Sequence, residues 1–196
     1  MKKINVGIFV FNHIELLDFT GPYEVFSVTT NKSEENLCNT FLIGNSTNQL
    51  VSVNGLKFLP DYSIDDHPDI DILVLPGGNG TKEEMFVKNS INWIKNVNKT
   101  CEYILSVCTG ARLLASAGLL DELEYTTHHE CFEELESICP KGKLNKNIRF
   151  TSKGKILTSG GISAGIDLSL HVVETLFGNE IKQKTMAYME YGNWSI

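Results

Sequence analysis

The chain is expected to fold as an α/β domain on a mostly parallel sheet, and three observations predict this. Apolar runs at residues 4–11, 70–75 and 103–107 are rich in β-branched and aromatic side chains with little polar alternation, as strands covered on both faces must be. Each run ends at a turn signal, and a helix-like pattern follows it. Strands alternating with helices imply one sheet with helices on both faces.

Residues 4–11 form the first strand. Lys2 and Lys3 precede it as basic residues precede a secretion signal, but Asn5 and Gly7 interrupt the run and no small-residue cleavage site follows Asn12 and His13. Thr20-Gly21-Pro22 then reads as a helix entrance, proline being tolerated in a first turn, with Tyr23, Val25, Phe26 and Val28 as apolar contacts. Asp18 therefore falls where the first strand hands over to the first helix. Residues 40–43 and 51–59 read as short strands broken by Gly44 and by Asn54-Gly55, a hairpin turn.

Pro76-Gly77-Gly78 ends the strand at 70–75 abruptly. Thr81-Lys82-Glu83-Glu84 supplies a capping box for a helix whose apolar positions include Met85, Phe86, Ile91, Trp93, Ile94 and Val97. The strand at 103–107 gives way to a helix over 109–117, with Gly118 as its stop. Residues 124–127 and 148–158 read as strands, and 162–177 as a long apolar helix closed by Gly178.

A length of 196 residues fits a single domain over 1–196, and no internal repeat or low-complexity segment divides it. With 24 acidic against 17 basic residues the net charge is −7, so a phosphate backbone would be repelled and no nucleic-acid partner is expected for this chain alone. Five cysteines without a C-x-x-C pair suggest neither a disulfide framework nor a zinc ribbon, which fits a reducing cytoplasm. No stretch is long enough to span a membrane.

The chemistry concentrates at Ser106-Val107-Cys108-Thr109-Gly110, because ligands of an open parallel sheet bind at the carboxyl ends of its strands. Cys108 sits between strand and helix, where unpaired N–H groups and the helix dipole favour thiolate, and a strand-to-helix elbow is a way of presenting a nucleophile. Cys38, Cys101, Cys131 and Cys139 are expected to be ordinary buried cysteines. Glu15 and Asp18 are the carboxyl groups that could handle its proton, Asp18 being nearer the helix entrance, where it could equally be a cap. Gly77 and Gly78 end the neighbouring strand and could aim backbone N–H groups at a developing negative charge, or simply form a tight turn. His128, His129 and Cys131 form a dense His/Cys cluster, but adjacent strand histidines point to opposite faces, and Glu130, Glu133 and Glu134 suit a solvated helix face. No metal is expected there, and a supporting role for His128 near Cys108 stays open.

The blocks Asp18-Phe19-Thr20-Gly21-Pro22-Tyr23-Glu24-Val25-Phe26, Leu75-Pro76-Gly77-Gly78, Val107-Cys108-Thr109-Gly110, Thr126-Thr127-His128 and Gly160-Gly161-Ile162-Ser163-Ala164-Gly165-Ile166-Asp167 together resemble, in order, the ThiJ/PfpI superfamily of glutamine amidotransferase-like proteins. The resemblance spans nearly the whole chain. It implies a flavodoxin-like three-layer sandwich, a homodimer and a cysteine at the nucleophile elbow. The first block and the Cys-Thr-Gly elbow look most like isonitrile hydratase and the ligand-sensing domain of AraC-type regulators. In the peptidase-like branch histidine follows the elbow cysteine; here Thr109 does, which disfavours proteolysis.

The resemblance implies a cofactor-free mechanism on a small-molecule substrate. The Cys108 thiolate attacks the terminal carbon of an isonitrile while an acid protonates nitrogen, giving a thioimidate that water releases as an N-substituted formamide. Asp18 would supply and take back the protons, and Thr109 would fix the nucleophile or water by hydrogen bonding. Glu24 resembles a structural position facing the elbow from below, a supporting one at most. The alternatives are a non-catalytic small-molecule sensor, or a glyoxalase or stress-protective protein resting on Cys108 with His128. A regulator would normally carry a helix-turn-helix module after such a domain, and this sequence stops at Ile196.

Overall fold

A computed structural model describes residues 3–192. The chain runs β1 (Ile4–Phe9), α1 (Leu16–Val28), β2 (Cys38–Gly44), β3 (Leu50–Val51), β4 (Lys57–Phe58), β5 (Tyr62–Ser63), β6 (Ile72–Leu75), α2 (Thr81–Glu84), α3 (Lys88–Thr100) and β7 (Tyr103–Ser106). It continues through α4 (Ala111–Ser116), β8 (Glu124–Tyr125), α5 (Phe132–Ile138), β9 (Lys143–Leu144), β10 (Ile156–Thr158), α6 (Ala164–Phe177) and α7 (Asn179–Tyr188).

Six strands form one sheet in the order β5-β2-β1-β6-β7-β10, and every pairing in it is parallel. β1 lies inside this order with β2 on one side and β6 on the other. Chain direction across the sheet therefore reverses between β1 and β6, which opens a crevice at their carboxyl ends. Right-handed crossovers place α1, which leads to β2, on the opposite face from α3, which leads from β6 to β7. All four residues of β6 are buried, as a strand covered on both faces requires. Phe9 meets Trp93 of α3 at 5.3 Å between rings. Among the described residues no helix is long and apolar enough to cross a membrane.

The hairpin at Asn54-Gly55 is present as β3 and β4, with Gly55 at φ +85°. Gly118 and Gly178 follow α4 and α6 with φ of +68° and +89°, positive values that suit glycine where a helix ends. Other boundaries differ from those expected. α1 starts at Leu16 instead of Thr20, so Asp18 lies in its first turn and Pro22 lies inside the helix. Pro22 withholds the N–H that the Asp18 carbonyl would otherwise accept. Gly21 serves packing instead of helix entry, since a Cβ there would sit 2.9 Å from Ile166 Cγ1 of α6.

The capping box at Thr81 does not form. Gly80 holds the cap position without a side-chain bond, the helix stops after Glu84, and α3 begins afresh at Lys88. Phe86, in the gap, is 76% exposed instead of contributing to the core. The long strand expected over 148–158 doubles back instead. Thr151 N–H donates to Thr158 O at 2.9 Å, the polar turn at Gly154 has φ +94°, and only Ile156–Thr158 joins the sheet.

Candidate active site

β1, β6 and β7 end at one edge of the sheet, and the turns that follow bring Asp18, Gly77 and Cys108 together. Cys108 has φ +56°, a left-handed conformation that a residue with a Cβ adopts at a cost of about 1–3 kcal/mol. Neighbouring backbone holds it there. Its N–H donates to Gly160 O at 3.1 Å, and its carbonyl accepts from Thr127 Oγ1 at 2.8 Å. Gly110 lets the elbow lie on the end of β6, because a Cβ there would fall 1.9 Å from Leu75 O.

The Cys108 thiol is buried beside the Asp18 carboxyl group, and the N–H groups of Thr109 and Ile162 also face the sulfur. Asp18 is fully buried. Its Oδ2 accepts from Gly77 N–H at 3.0 Å, and its Oδ1 has no hydrogen-bond partner. Burial raises the Asp18 pKa to about 7 against the pull of the Gly77, Cys108 and Ile162 donors, and the charge of Glu15 adds to the rise.

Burial also pushes the Cys108 thiol up, and the negative charge of Asp18 pushes it further. This reverses the expectation that the helix end favours thiolate. The following helix, α4, is only six residues long, and the Thr109 and Ile162 donors do not outweigh desolvation beside a carboxylate. Cys108 and Asp18 form a pair that holds two protons below about pH 7 and one above it.

Asp18 makes stability depend on pH with a definite sign. The unfolded chain releases this proton near the ordinary carboxylate value, and the folded chain keeps it up to about pH 7. Stability is therefore lost as pH rises from about 4 to about 7, by on the order of 4 kcal/mol. Asp18→Asn should remove this slope, unfolding at higher urea than the parent at pH 8 and near the parent at pH 4.5.

Gly77 and Gly78 stand beside the pair, and their N–H groups point inward. Gly77 N–H donates to Asp18, and Gly78 N–H donates to Thr109 Oγ1 at 2.9 Å. A Cβ on Gly77 would meet Thr109 Oγ1 at 2.6 Å and Asp18 Oδ2 at 2.7 Å, so the missing side chain leaves the space in which those two oxygens approach. Gly78 combines φ +120° with a virtual Cβ 2.4 Å from Glu15 N, so both conformation and space require glycine.

His128 packs on Gly161, where an added Cβ would lie 2.1 Å from its Cδ2, and its Nδ1 accepts from Glu130 N–H at 3.3 Å. The chain there is a tight helical turn after His128, not a strand. The His128 and His129 rings accordingly lie against each other, tilted by 31° with centroids 4.4 Å apart, instead of pointing to opposite faces. Glu24 is exposed on α1, so it does not face the elbow from below. Among the described residues no three His, Cys, Asp or Glu side chains gather as metal ligands.

Two residues of the site, Ile162 and Arg112, carry no role expected from sequence, and a third, Thr81, is expected only as a helix cap. Ile162, at φ +53°, turns its N–H to both Cys108 and Asp18, a conformation rare for a β-branched residue. The Gly160-Gly161 pair before α6 is the signal that could have marked this turn. Arg112 is buried below the elbow and forms a two-armed ion pair with Glu134, at 2.9 Å and 2.5 Å, while its Nη2 approaches Cys131 Sγ at 3.3 Å. Glu134 is thus not a freely solvated helix charge, and Cys131 is only partly buried. Thr81 links Arg112 to Thr109.

Known proteins are similar to this chain in sequence and in fold. The isonitrile hydratase of Pseudomonas putida is 29% identical over 188 residues, covering 96% of this chain and 78% of that protein. The HTH-type transcriptional regulator GbdR of Pseudomonas aeruginosa is 23% identical over 177 residues; these cover 90% of this chain and 48% of the regulator, so the chain spans about half of its length. Among solved structures, a ThiJ/PfpI family protein from Pseudomonas syringae superposes with a TM-score of 0.87 at 24% identity, covering all of this chain and 78% of that one. An AraC family regulator from Pseudomonas putida gives 0.81 at 20% identity, covering 95% and 99% of the two chains. The model of the DJ-1/PfpI family matches residues 4–175, which takes in every turn of the site, and the chain belongs to that family.

Proposed function

We propose that the protein is a cysteine-dependent enzyme of the isonitrile hydratase type, converting a small isonitrile to an N-substituted formamide. The observation that carries this reading is the buried Cys108–Asp18 pair, a thiol on a left-handed elbow set against a carboxyl group of pKa about 7. Similarity to the Pseudomonas putida isonitrile hydratase over 96% of the chain supports the substrate class.

The steps balance without a redox partner. Sulfur bonds to the terminal isonitrile carbon, and atom balance places the first proton on that carbon, not on nitrogen, giving the thioimidate R–N=CH–S–Cys108. Water then adds across C=N, its oxygen to carbon and its proton to nitrogen. Breaking C–S releases R–NH–CHO, and the hydroxyl proton returns to the Cys108–Asp18 pair. Asp18 Oδ1, which has no other partner, is the atom suited to carry the moving proton. Thr109 N–H and Ile162 N–H face the sulfur and would stabilise it as the C–S bond breaks. The N–H groups of Gly77 and Gly78 act indirectly, by holding Asp18 and Thr109.

The reactive state holds one proton on the pair, whether written as thiolate with carboxylic acid or thiol with carboxylate. Below about pH 7 the pair holds two. Turnover per unit substrate should therefore rise with pH through about 7 and hold above it.

Purified protein incubated with cyclohexyl isocyanide should release formamide in proportion to protein, followed by absorbance and mass spectrometry. A folded protein that yields none would move the reading to a small-molecule sensor. That second reading has support in the match to GbdR over 90% of this chain. A homodimer in the cytoplasm, free of cofactor, is part of either reading.

A further inference from the structure

We infer that Arg112 is a positioning residue for the Cys108 site, acting through Thr81 to turn the Thr109 hydroxyl proton toward the space beside Cys108 and Asp18. The inference follows from counting donors and acceptors. Arg112 can only donate, and its Nη1 donates to Thr81 Oγ1 at 2.8 Å. The Thr81 hydroxyl must therefore place its own proton elsewhere, and Gly78 O is nearest at 2.7 Å. That carbonyl also accepts Thr81 N–H at 3.2 Å, so both of its lone pairs are engaged.

Thr109 Oγ1 in turn accepts Gly78 N–H at 2.9 Å. The Gly78 carbonyl, 3.3 Å away and already doubly engaged, is a poor acceptor for the Thr109 proton. Thr81 Oγ1, also 3.3 Å away, has one of its two acceptor lone pairs taken by Arg112, and 3.3 Å is too long for a good O–H···O bond to the other. The proton is left for the gap over Gly77, where Thr109 Oγ1 and Asp18 Oδ2 converge. Without Arg112 both acceptor lone pairs of Thr81 are open and its oxygen is no longer held, so it can shift toward Thr109, accept from it and draw its proton inward.

The order of this chain depends on Arg112 staying put. Two bonds to Glu134 fix the guanidinium plane, and a fork of this kind directs Nη1 in a way that a lysine ammonium would not. Arg112 lies one helical turn beyond Cys108, the spacing at which a side chain on the new helix reaches beneath the elbow.

For turnover the inference rests on the isonitrile hydratase reading; for thiol reactivity it does not, and the test uses both. Alkylation of Cys108 by iodoacetamide at pH 7.5, followed by mass spectrometry, reports how well an anionic sulfur is stabilised. Thr81→Val keeps the Arg112–Glu134 pair but breaks the relay. It should slow alkylation and lower kcat by about tenfold, the size expected for one hydrogen bond to a charged centre, with KM little changed. Thr81→Ser restores the hydroxyl and should restore both rates. Arg112→Met should lose at least as much, and Arg112→Met with Thr81→Val no more than Arg112→Met alone, since both cut one chain.

Urea unfolding of each variant identifies any that lose rate by losing structure. Thr81→Val alkylated at the parent rate, or losses that multiply in the double variant, would overturn the role of Arg112. Absence of formamide from the parent, with the alkylation pattern as expected, would overturn only the isonitrile reading.

Discussion

Replacing Cys108 by alanine should bring isonitrile hydration down to the level of buffer while the protein stays folded. No other group in the described site can form the thioimidate. Asp18 is a carboxyl group held by Gly77 N–H, and the Thr109 hydroxyl already accepts from Gly78 N–H. With covalent catalysis removed, a loss of 10³-fold or more is expected. The change should leave stability within about 1 kcal/mol, because alanine loses a little buried volume but keeps the same backbone. Cys108→Gly should be as inactive and yet gain stability relative to Cys108→Ala, by about 1 kcal/mol, since only glycine adopts φ +56° without strain. Formamide production and urea unfolding on the two variants separate the chemical role of Cys108 from its conformational cost. Turnover that survives in Cys108→Ala would remove the thioimidate from the mechanism.

The strain at Cys108 and the pKa of Asp18 have one origin. The elbow places the sulfur out of water and against a carboxyl group that is itself out of water, so the site holds its components in states that each would avoid alone. The donors of Gly77, Thr109 and Ile162 offset part of that cost and fix direction. The remainder is met by the packed sheet beneath, where β1, β6 and β7 are held in register on both sides.

Cys108 is legible in the sequence because a strand that ends in cysteine before a helix-forming run is local information, and so is the glycine turn at Gly77-Gly78. The sheet itself is legible because strands buried on both faces carry unbroken apolar runs. Asp18 is legible as a neighbour of the elbow, but its place inside α1 is not, since Pro22 mimics a helix start and tertiary packing of Gly21 on Ile166 overrides that signal. Glu134 reads as a solvated helix charge, and nothing in the sequence pairs it with Arg112, 22 positions away, until the fold brings α4 against α5. Ile162 carries no chemical signal at all, because it acts through its backbone N–H. Thr81 looked like a cap because its spacing from Glu84 suits one, whereas its hydroxyl is bonded to Gly78 O and to Arg112.

Gly110→Ala should damage the protein more than any other single methyl group added at the elbow. Its φ of −57° is ordinary for any residue, so conformational freedom does not explain the glycine. Close approach does. The new Cβ would fall 1.9 Å from Leu75 O and 3.0 Å from Pro76 O, and both atoms are backbone at the end of a central strand. Leu75 O also accepts Val107 N–H at 3.0 Å, so it cannot retreat without breaking the pairing that holds β7 beside β6. The elbow would have to lift away, carrying Cys108 from Asp18. A loss of about 3 kcal/mol or more is expected, at the upper end of what overpacking causes, together with most of the turnover. Gly118→Ala is the comparison that isolates the cause. There φ is +68° but no atom lies within 4 Å of the added carbon, so only backbone strain of about 1 kcal/mol applies. Urea midpoints that fall equally in the two variants would show that the elbow can yield; a much larger fall for Gly110→Ala would show that the tight seat of the elbow on β6 is what holds the nucleophile in place.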